Sequence, residues 1–325
     1  MTEVLILGGT GWLSGRIARR WRDAGAAVTC FARGIRPAPD GTRLVAGDRT
    51  APGALSAVAD REWDAVVDVT SEAAWAASAL ATLGERARHW TDISSVSVYA
   101  DDHLAGADET AATVPSGSPG DDLDYPRAKA TIESAVRAQL GDRAAIIRPG
   151  LIVGPGDTSD RFGYWVSRFA LAADQPVLVP EARGLGASVI DVDDLAAFVV
   201  GVGRTAWAGT VNAIGDPIAL DELLAQARGV AGHTGPLVAA PDAWLRAHEV
   251  EYWAGPRSLP LWLPRDLVGF WGRSNLRYRE RGGTFRPLED TLRRTLDDER
   301  VRGLDRRRRA GLSRDDELAL LRERD

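Results

Sequence analysis

Apolar residues in the first half of the chain come in short runs separated by longer amphipathic stretches. Val4-Leu5-Ile6-Leu7 completes a run from Thr2 that reads as a buried strand, glycines follow at once, and Arg16 to Trp21 then takes a helical pattern. Further buried strands are predicted over 27–32, 44–49, 63–70, 91–99 and 144–147. An alanine-rich helix is expected from about 72 to 88, and another begins at Tyr125, because Pro126 suits a first helical position that needs no N–H. Strands alternating with helices call for a parallel sheet covered on both faces, a doubly wound α/β fold of the Rossmann kind.

From Thr158 the alternation loosens, and tryptophans accumulate at Trp165, Trp207, Trp244, Trp253, Trp262 and Trp271. The expected division is a dinucleotide-binding domain over 1–157 and 187–215, with a smaller, mostly helical substrate domain over 158–186 and 216–325. Tyr252-Trp253 and Pro260-Leu261-Trp262-Leu263-Pro264 are candidate pocket walls or core filling, and Arg286 is a candidate partner for an anionic substrate group. Near the end, Ser313 reads as the cap of a terminal helix with Leu318 and Leu321 on its buried stripe.

Composition narrows the function classes. With 45% hydrophobic and 26% charged residues, the 325-residue chain is globular rather than disordered. A net charge of −6, with acids and bases interspersed, provides no broad positive field for nucleic acid or an anionic membrane. The run Arg306 to Arg309 is soon followed by Asp315, Asp316 and Glu317. One cysteine, Cys30, rules out an internal disulfide framework and points to a reducing cytoplasm, and the first apolar run is too short for a signal peptide or membrane span. The four histidines have no metal-like spacing, so no metal is expected.

The chemistry concentrates in three places. Gly8-Gly9-Thr10-Gly11 between strand and helix is the turn through which backbone N–H groups approach a pyrophosphate at a helix N-terminus. In its G-x-x-G-x-x-G form, Gly8 and Gly11 fit, while Ser14, small enough for close packing, takes the third place. The second strand ends in Arg33-Gly34 with no carboxylate for a ribose diol, so Arg33, or Arg36, is expected to meet a 2′-phosphate and NADP(H) is favoured over NAD(H). Asp48, after the third strand, is a candidate for the adenine amino group. Lys129 is the single lysine among 40 basic residues and stands four after Tyr125, which on a helix puts both side chains on one face. An ammonium retained where every other cation is a guanidinium indicates a need for a compact, rotatable donor.

Gly8-x-x-Gly11, Ile93-Ser94-Ser95-Val96-Ser97-Val98-Tyr99, Tyr125-x-x-x-Lys129 and Arg148-Pro149-Gly150, in this order, resemble the extended short-chain dehydrogenase/reductase superfamily, within it the NAD-dependent epimerase/dehydratase family. The resemblance covers roughly 2–215. Phe31-x-Arg33-Gly34 and Gly154-Pro155-Gly156-Asp157 look like bacterial isoflavone-reductase-like members. The resemblance implies that Tyr125 is the general acid/base, that Lys129 holds the nicotinamide ribose and lowers the tyrosine pKa, and that Ser95 bonds the reacting oxygen. It extends the cofactor-binding set to Thr10, Trp12, Leu13, Arg49, Val69, Thr70 and Ser94, with Pro149 and Gly150 beneath the nicotinamide. The asparagine common in sugar-nucleotide branches after the sixth strand is missing from Gly150-Leu151-Ile152, which weakens a nucleotide-sugar substrate.

The function expected is an NADPH-dependent reductase acting on a carbonyl of a small metabolite, of the kind found in secondary metabolism, as monomer or homodimer. An epimerase or dehydratase with tightly held cofactor is the alternative, and a non-catalytic dinucleotide-binding regulator a further one.

Overall fold

The computed structural model describes residues 1–324. Seven strands form the central sheet: β1 (Glu3–Leu7), β2 (Ala27–Ala32), β3 (Arg43–Ala46), β4 (Ala65–Asp68), β5 (Trp90–Ile93), β6 (Ala144–Pro149) and β7 (Gly209–Ala213). They lie in the order β7-β6-β5-β4-β1-β2-β3, every pairing parallel. The order reverses at β1, so connections leave in opposite directions and a crevice opens above the carboxyl ends of β1 and β4, where such sheets bind ligands.

Both faces are covered. Helices α1 (Trp12–Asp23) and α5 (Val192–Thr205) bury Ile17, Ala18, Trp21, Leu195 and Val199 against one face. On the other, α2 (Ala73–Leu83) and α3 (Tyr125–Leu140) pack through Ala76, Leu80, Ile132 and Val136. β4 and β5 are buried along their whole length, as a sheet sandwiched by helices requires.

A separate apolar cluster is built by α4 (Arg161–Ala172), α6 (Leu220–Ala231), α7 (Leu288–Arg302) and α8 (Arg314–Arg324), with a strand pair of Val177–Pro180 and Leu237–Ala240. Trp165 and Trp262 are its largest fully buried rings. Leu320 and Leu321 are buried on α8, with Leu318 partly so.

Three predicted strands end early. The third stops at Ala46, the fourth at Asp68 and the fifth at Ile93 instead of Tyr99. Beyond Ile93 the chain leaves the ladder for a single 3₁₀ turn, Val96–Val98, capped by the Ser95 hydroxyl accepting from the Ser97 N–H at 3.1 Å. The serines therefore sit on a turn past the sheet edge, where a small hydroxyl serves as a cap. Conversely, the sixth strand runs two residues further, to Pro149. Among the described residues no helix is long and apolar enough to cross a membrane.

Candidate active site

The glycine turn leads from β1 into α1 with its geometry enforced from outside. A Cβ on Gly9 would lie 2.6 Å from both the Cβ and Sγ of Cys30, so only glycine fits beneath the buried cysteine of β2. Ser14 does more than save space: its hydroxyl donates to the Gly8 carbonyl at 2.6 Å and accepts from the Gly11 N–H at 3.1 Å, tying the turn to the first helical turn. No acidic side chain occupies the first turn of α1, leaving its N-terminal dipole and free N–H groups for an anion. Trp12 reaches across to donate its indole N–H to the Pro155 carbonyl at 2.8 Å, and Arg16 bonds the same oxygen at 2.7 Å.

A cavity of about 670 Å³ opens from this turn over the sheet. Gly8, Gly11, Trp12, Leu13, Val69, Ser94, Ser95, Tyr125, Lys129, Pro149 and Gly150 all border it. Asp124 caps α3 by accepting from the Arg127 N–H at 3.0 Å, which fixes Tyr125 at the first position of the helix. Tyr125 is half exposed, while Lys129, one turn deeper, is 3% exposed. The lysine Nζ lies 6.0 Å from the tyrosine ring centre and donates to the carbonyls of Thr70 and Ile93, each at 2.6 Å. An ammonium has three protons, so one donor is left over. Thr70 does not border the cavity; it contributes the carbonyl that holds Lys129.

Beneath the trio lies a buried charged layer absent from the sequence-based picture. Glu133, one turn after Lys129, takes a two-pronged bond from Arg148 at 2.8 and 2.7 Å. The Ser94 hydroxyl donates to the same carboxylate at 2.6 Å, so it faces this pair while the residue's remaining atoms border the cavity. Burial alone would raise the Glu133 pKa, but the Arg148 bonds override it and hold the carboxyl below its usual range. Asp92 on β5 is fully buried, and among the described residues neither of its oxygens has a hydrogen-bond partner. Desolvation, opposed by Lys129 and reinforced by Asp68 and Glu133, pushes its pKa up to about 8.

A second cavity continues from the glycine turn over the ends of β2 and β3, bordered by Thr10, Arg33, Arg36, Asp48, Arg49 and Trp75. Among the described residues Arg33 has no ion-pair partner within 4.0 Å. Asp48 accepts from the N–H and hydroxyl of Thr50 at 3.0 and 2.9 Å; these bonds, with Arg33 further off, hold its pKa below the ordinary carboxylate value. Arg49 also borders this cavity, yet its guanidinium is committed to both Asp68 oxygens, at 2.7 and 2.8 Å, and to the Trp75 carbonyl at 2.8 Å. It braces the wall, in place of the free donor expected of a cofactor contact.

The main cavity is also walled by Trp253, Leu261, Leu263, Phe270 and Trp271, with Thr158, Ser159, Arg161 and Ser188 supplying polar groups. Of the candidate wall residues, Tyr252 and Trp262 instead stack on each other, ring centres 4.0 Å apart, in the second core. Arg286 is also accounted for: it pairs with Asp194 at 2.7 Å and approaches Asp191 at 3.5 Å, remote from this cavity. Ser97, Phe270 and Trp271 were not legible as site residues. The one signal for Trp271 is Gly186, where a Cβ would stand 2.6 Å from the indole ring.

This sheet order, with a glycine turn at the reversal point and a cavity above it, defines a Rossmann-type α/β protein of the extended short-chain dehydrogenase/reductase superfamily. The chain belongs to the NAD-dependent epimerase/dehydratase family, whose model matches residues 4–214. Membership points to an NAD-dependent enzyme and leaves the reaction open. Among solved structures, a candidate epimerase from Burkholderia cenocepacia superposes with a TM-score of 0.72 at 23% identity, over 92% of this chain and 98% of that one. UDP-N-acetylglucosamine 4-epimerase from Bacillus cereus gives 0.69 at 14% identity, over 94% and 98%. UDP-glucose 4-epimerase from Thermus thermophilus, in complex with NAD, gives 0.64 at 16%, over 92% and 99%. At these identities the likeness concerns the fold, and these named neighbours are epimerases rather than isoflavone-reductase-like proteins. No curated protein matches the chain.

Proposed function

We propose that the protein is a nicotinamide-dinucleotide enzyme that interconverts a carbinol and a carbonyl on a small molecule, with Tyr125 moving the proton and net reduction as its physiological direction. The observation that carries this reading is the meeting of Ser95, Tyr125 and Lys129 on one cavity with the glycine turn. The turn and the start of α1 fit a pyrophosphate, and Pro149 and Gly150 border the end where a nicotinamide would lie. A bound nicotinamide supplies or accepts the hydride. Tyr125 is at the rim, within reach of a substrate oxygen, and gives it a proton or removes one. Lys129 holds its ammonium behind the ring and keeps one N–H for a ribose hydroxyl. Ser95 steadies charge on the reacting oxygen once its bond to the Ser97 hydroxyl, 3.1 Å long, is exchanged for one to substrate.

Arg33 and Arg36 beside the second cavity, with no acid ending β2, support NADP(H) over NAD(H). The family and its structural neighbours favour a second reading, epimerisation or dehydration with the hydride returned to the same molecule. One experiment separates the two. Purified full chain is mixed with NADPH and a panel of carbonyl compounds, and reduced nicotinamide is followed by absorbance. Stoichiometric consumption supports the reductase; product formation without consumption selects the epimerase or dehydratase; dinucleotide binding with neither leaves only a regulator.

A further inference from the structure

One end of the main cavity is built around one guanidinium. Arg161 opens α4 and borders the cavity. Its Nε donates to the Ser159 hydroxyl at 3.3 Å, and its Cζ lies 4.9 Å from the Trp253 ring centre. Among the described residues, no carboxylate lies within 4.0 Å of it, although most buried arginines of this chain are paired, as Arg49, Arg148 and Arg168 are. The neighbouring Asp157 carboxylate is turned to the N–H and hydroxyl of Ser159, at 2.7 and 2.8 Å. Arg309, whose side chain is exposed, borders the same cavity.

The backbone marks this place independently. Among the described residues, six non-glycine residues have positive φ. Ala206 ends a helix in the left-handed region and Glu249 follows one, where a left-handed residue is ordinary, and Ala173 ends a helix outside that region, at φ 55° and ψ −95°. The other three are Asp160 (φ 63°), Trp253 (φ 64°) and Leu261 (φ 69°). Trp253 and Leu261 border the cavity, and Asp160 directly precedes Arg161. Such conformations are strained and persist where surrounding structure imposes them, often at ligand sites. The imposing contacts are visible. Asp160 accepts bonds from Arg306, Arg302 and the Arg309 N–H, and the Trp253 N–H donates to the Trp262 carbonyl at 3.0 Å while its ring meets Phe270 edge-on, centres 5.1 Å apart.

We propose that this end of the cavity is a receptor for a small carboxylate with a flat apolar body, the carboxylate bonded by Arg161 and the body held among Trp253, Phe270, Trp271 and Leu263. The guanidinium fork matches a carboxylate in shape. Arg161 and Arg309 with Asp157 give this cavity one net positive charge, which balances one negative charge better than the two or more of a phosphate or diphosphate. Burial lowers the Arg161 pKa against the opposing pull of Asp157 and Tyr125, and Arg161 and Tyr125 border the same cavity. The inference rests on the reading of Tyr125 as the reacting end of the cavity.

The test compares 2-naphthoate with 2-naphthamide, isosteres differing in charge, by calorimetric titration of the full chain with and without NADP⁺. The wild type is expected to bind the carboxylate about tenfold or more tightly than the amide, the usual scale for a desolvated charge-assisted bond. Arg161→Gln should bring that ratio near one, Arg161→Lys should restore part of it, and Trp253→Leu should weaken both compounds alike. Unchanged melting temperatures show that the variants fold. Equal affinities in the wild type, discrimination that survives Arg161→Gln, or Arg161-dependent binding of UDP-glucose in place of the naphthoate overturns the proposal. Failure of NADP⁺ to bind, with the discrimination intact, sinks the dinucleotide reading and leaves the carboxylate receptor standing.

Discussion

Lys129 holds its ammonium 6.0 Å from the centre of the Tyr125 ring while two main-chain carbonyls, of Thr70 just after β4 and Ile93 at the end of β5, each accept a 2.6 Å bond from it. The charge is thereby fixed in place before any ligand arrives. A phenol at the cavity rim with an ammonium held behind it is placed to exchange a proton with a ligand in the cavity.

Tyr125→Phe removes the transferable proton and leaves the ring. Turnover should fall by about 10²- to 10⁴-fold, the range for positioned proton transfer, with dinucleotide affinity changed little. Steady-state rates beside a binding titration check this; retained turnover would defeat the assigned role.

Lys129→Arg keeps the charge and loses the shape. A planar guanidinium cannot place donors on both the Thr70 and Ile93 carbonyls in a space built for a compact head and keep one for a ribose. Both turnover and dinucleotide affinity are expected to drop by about tenfold or more. A variant equal to the wild type in both would show that the solitary lysine is incidental.

Asp92 gives the chain a pH-dependent stability of definite sign. Its folded pKa is raised to about 8, chiefly by desolvation, from an ordinary 3.8. Between those values the folded chain keeps a proton that the unfolded chain has released. The associated stability is complete below about pH 4 and is lost as pH rises toward 8, with a limiting slope of about 1.4 kcal/mol per pH unit. Denaturant unfolding of Asp92→Asn should show this slope reduced, with the variant gaining on the wild type as pH rises from 5 to 8. Parallel profiles would mean that Asp92 is ionised in the fold.

Arg33→Ala tests the expected cofactor preference. With Arg33 free of carboxylate partners at the second cavity, its loss should weaken NADPH by about tenfold and NADH far less. Equal losses for both would remove the 2′-phosphate contact and leave Arg36 as the candidate.

Much of this was legible in the chain, for local reasons. Apolar runs bounded by glycine or proline announce strands buried on both faces, Pro126 announces a helix start, and a tyrosine four residues before the only lysine announces a shared helix face. These are consequences of backbone geometry over a few residues, so the sequence alone determined the alternating sheet, the glycine turn and the Tyr125–Lys129 pair. Where a strand must stop was less legible: Ser94 and Ser95 have strand-compatible neighbours, the Ser94 N–H still bonds to Ile147 of β6, and the chain turns away where the Ser95 hydroxyl caps the Val96–Val98 turn.

Residues distant in sequence were beyond such reading. Arg49 and Arg286 look like free cations along the chain, and only folding brings Asp68 and Asp194 to them. Trp253 and Trp262 carry the same ring on neighbouring segments, yet one borders the cavity and the other fills the core. The tertiary structure alone decided which charges are cancelled and which, like those of Arg161 and Lys129, stay available. Cancellation depends on approach within a few ångströms between residues 19 positions apart in one case and 92 in the other, and no local propensity encodes that.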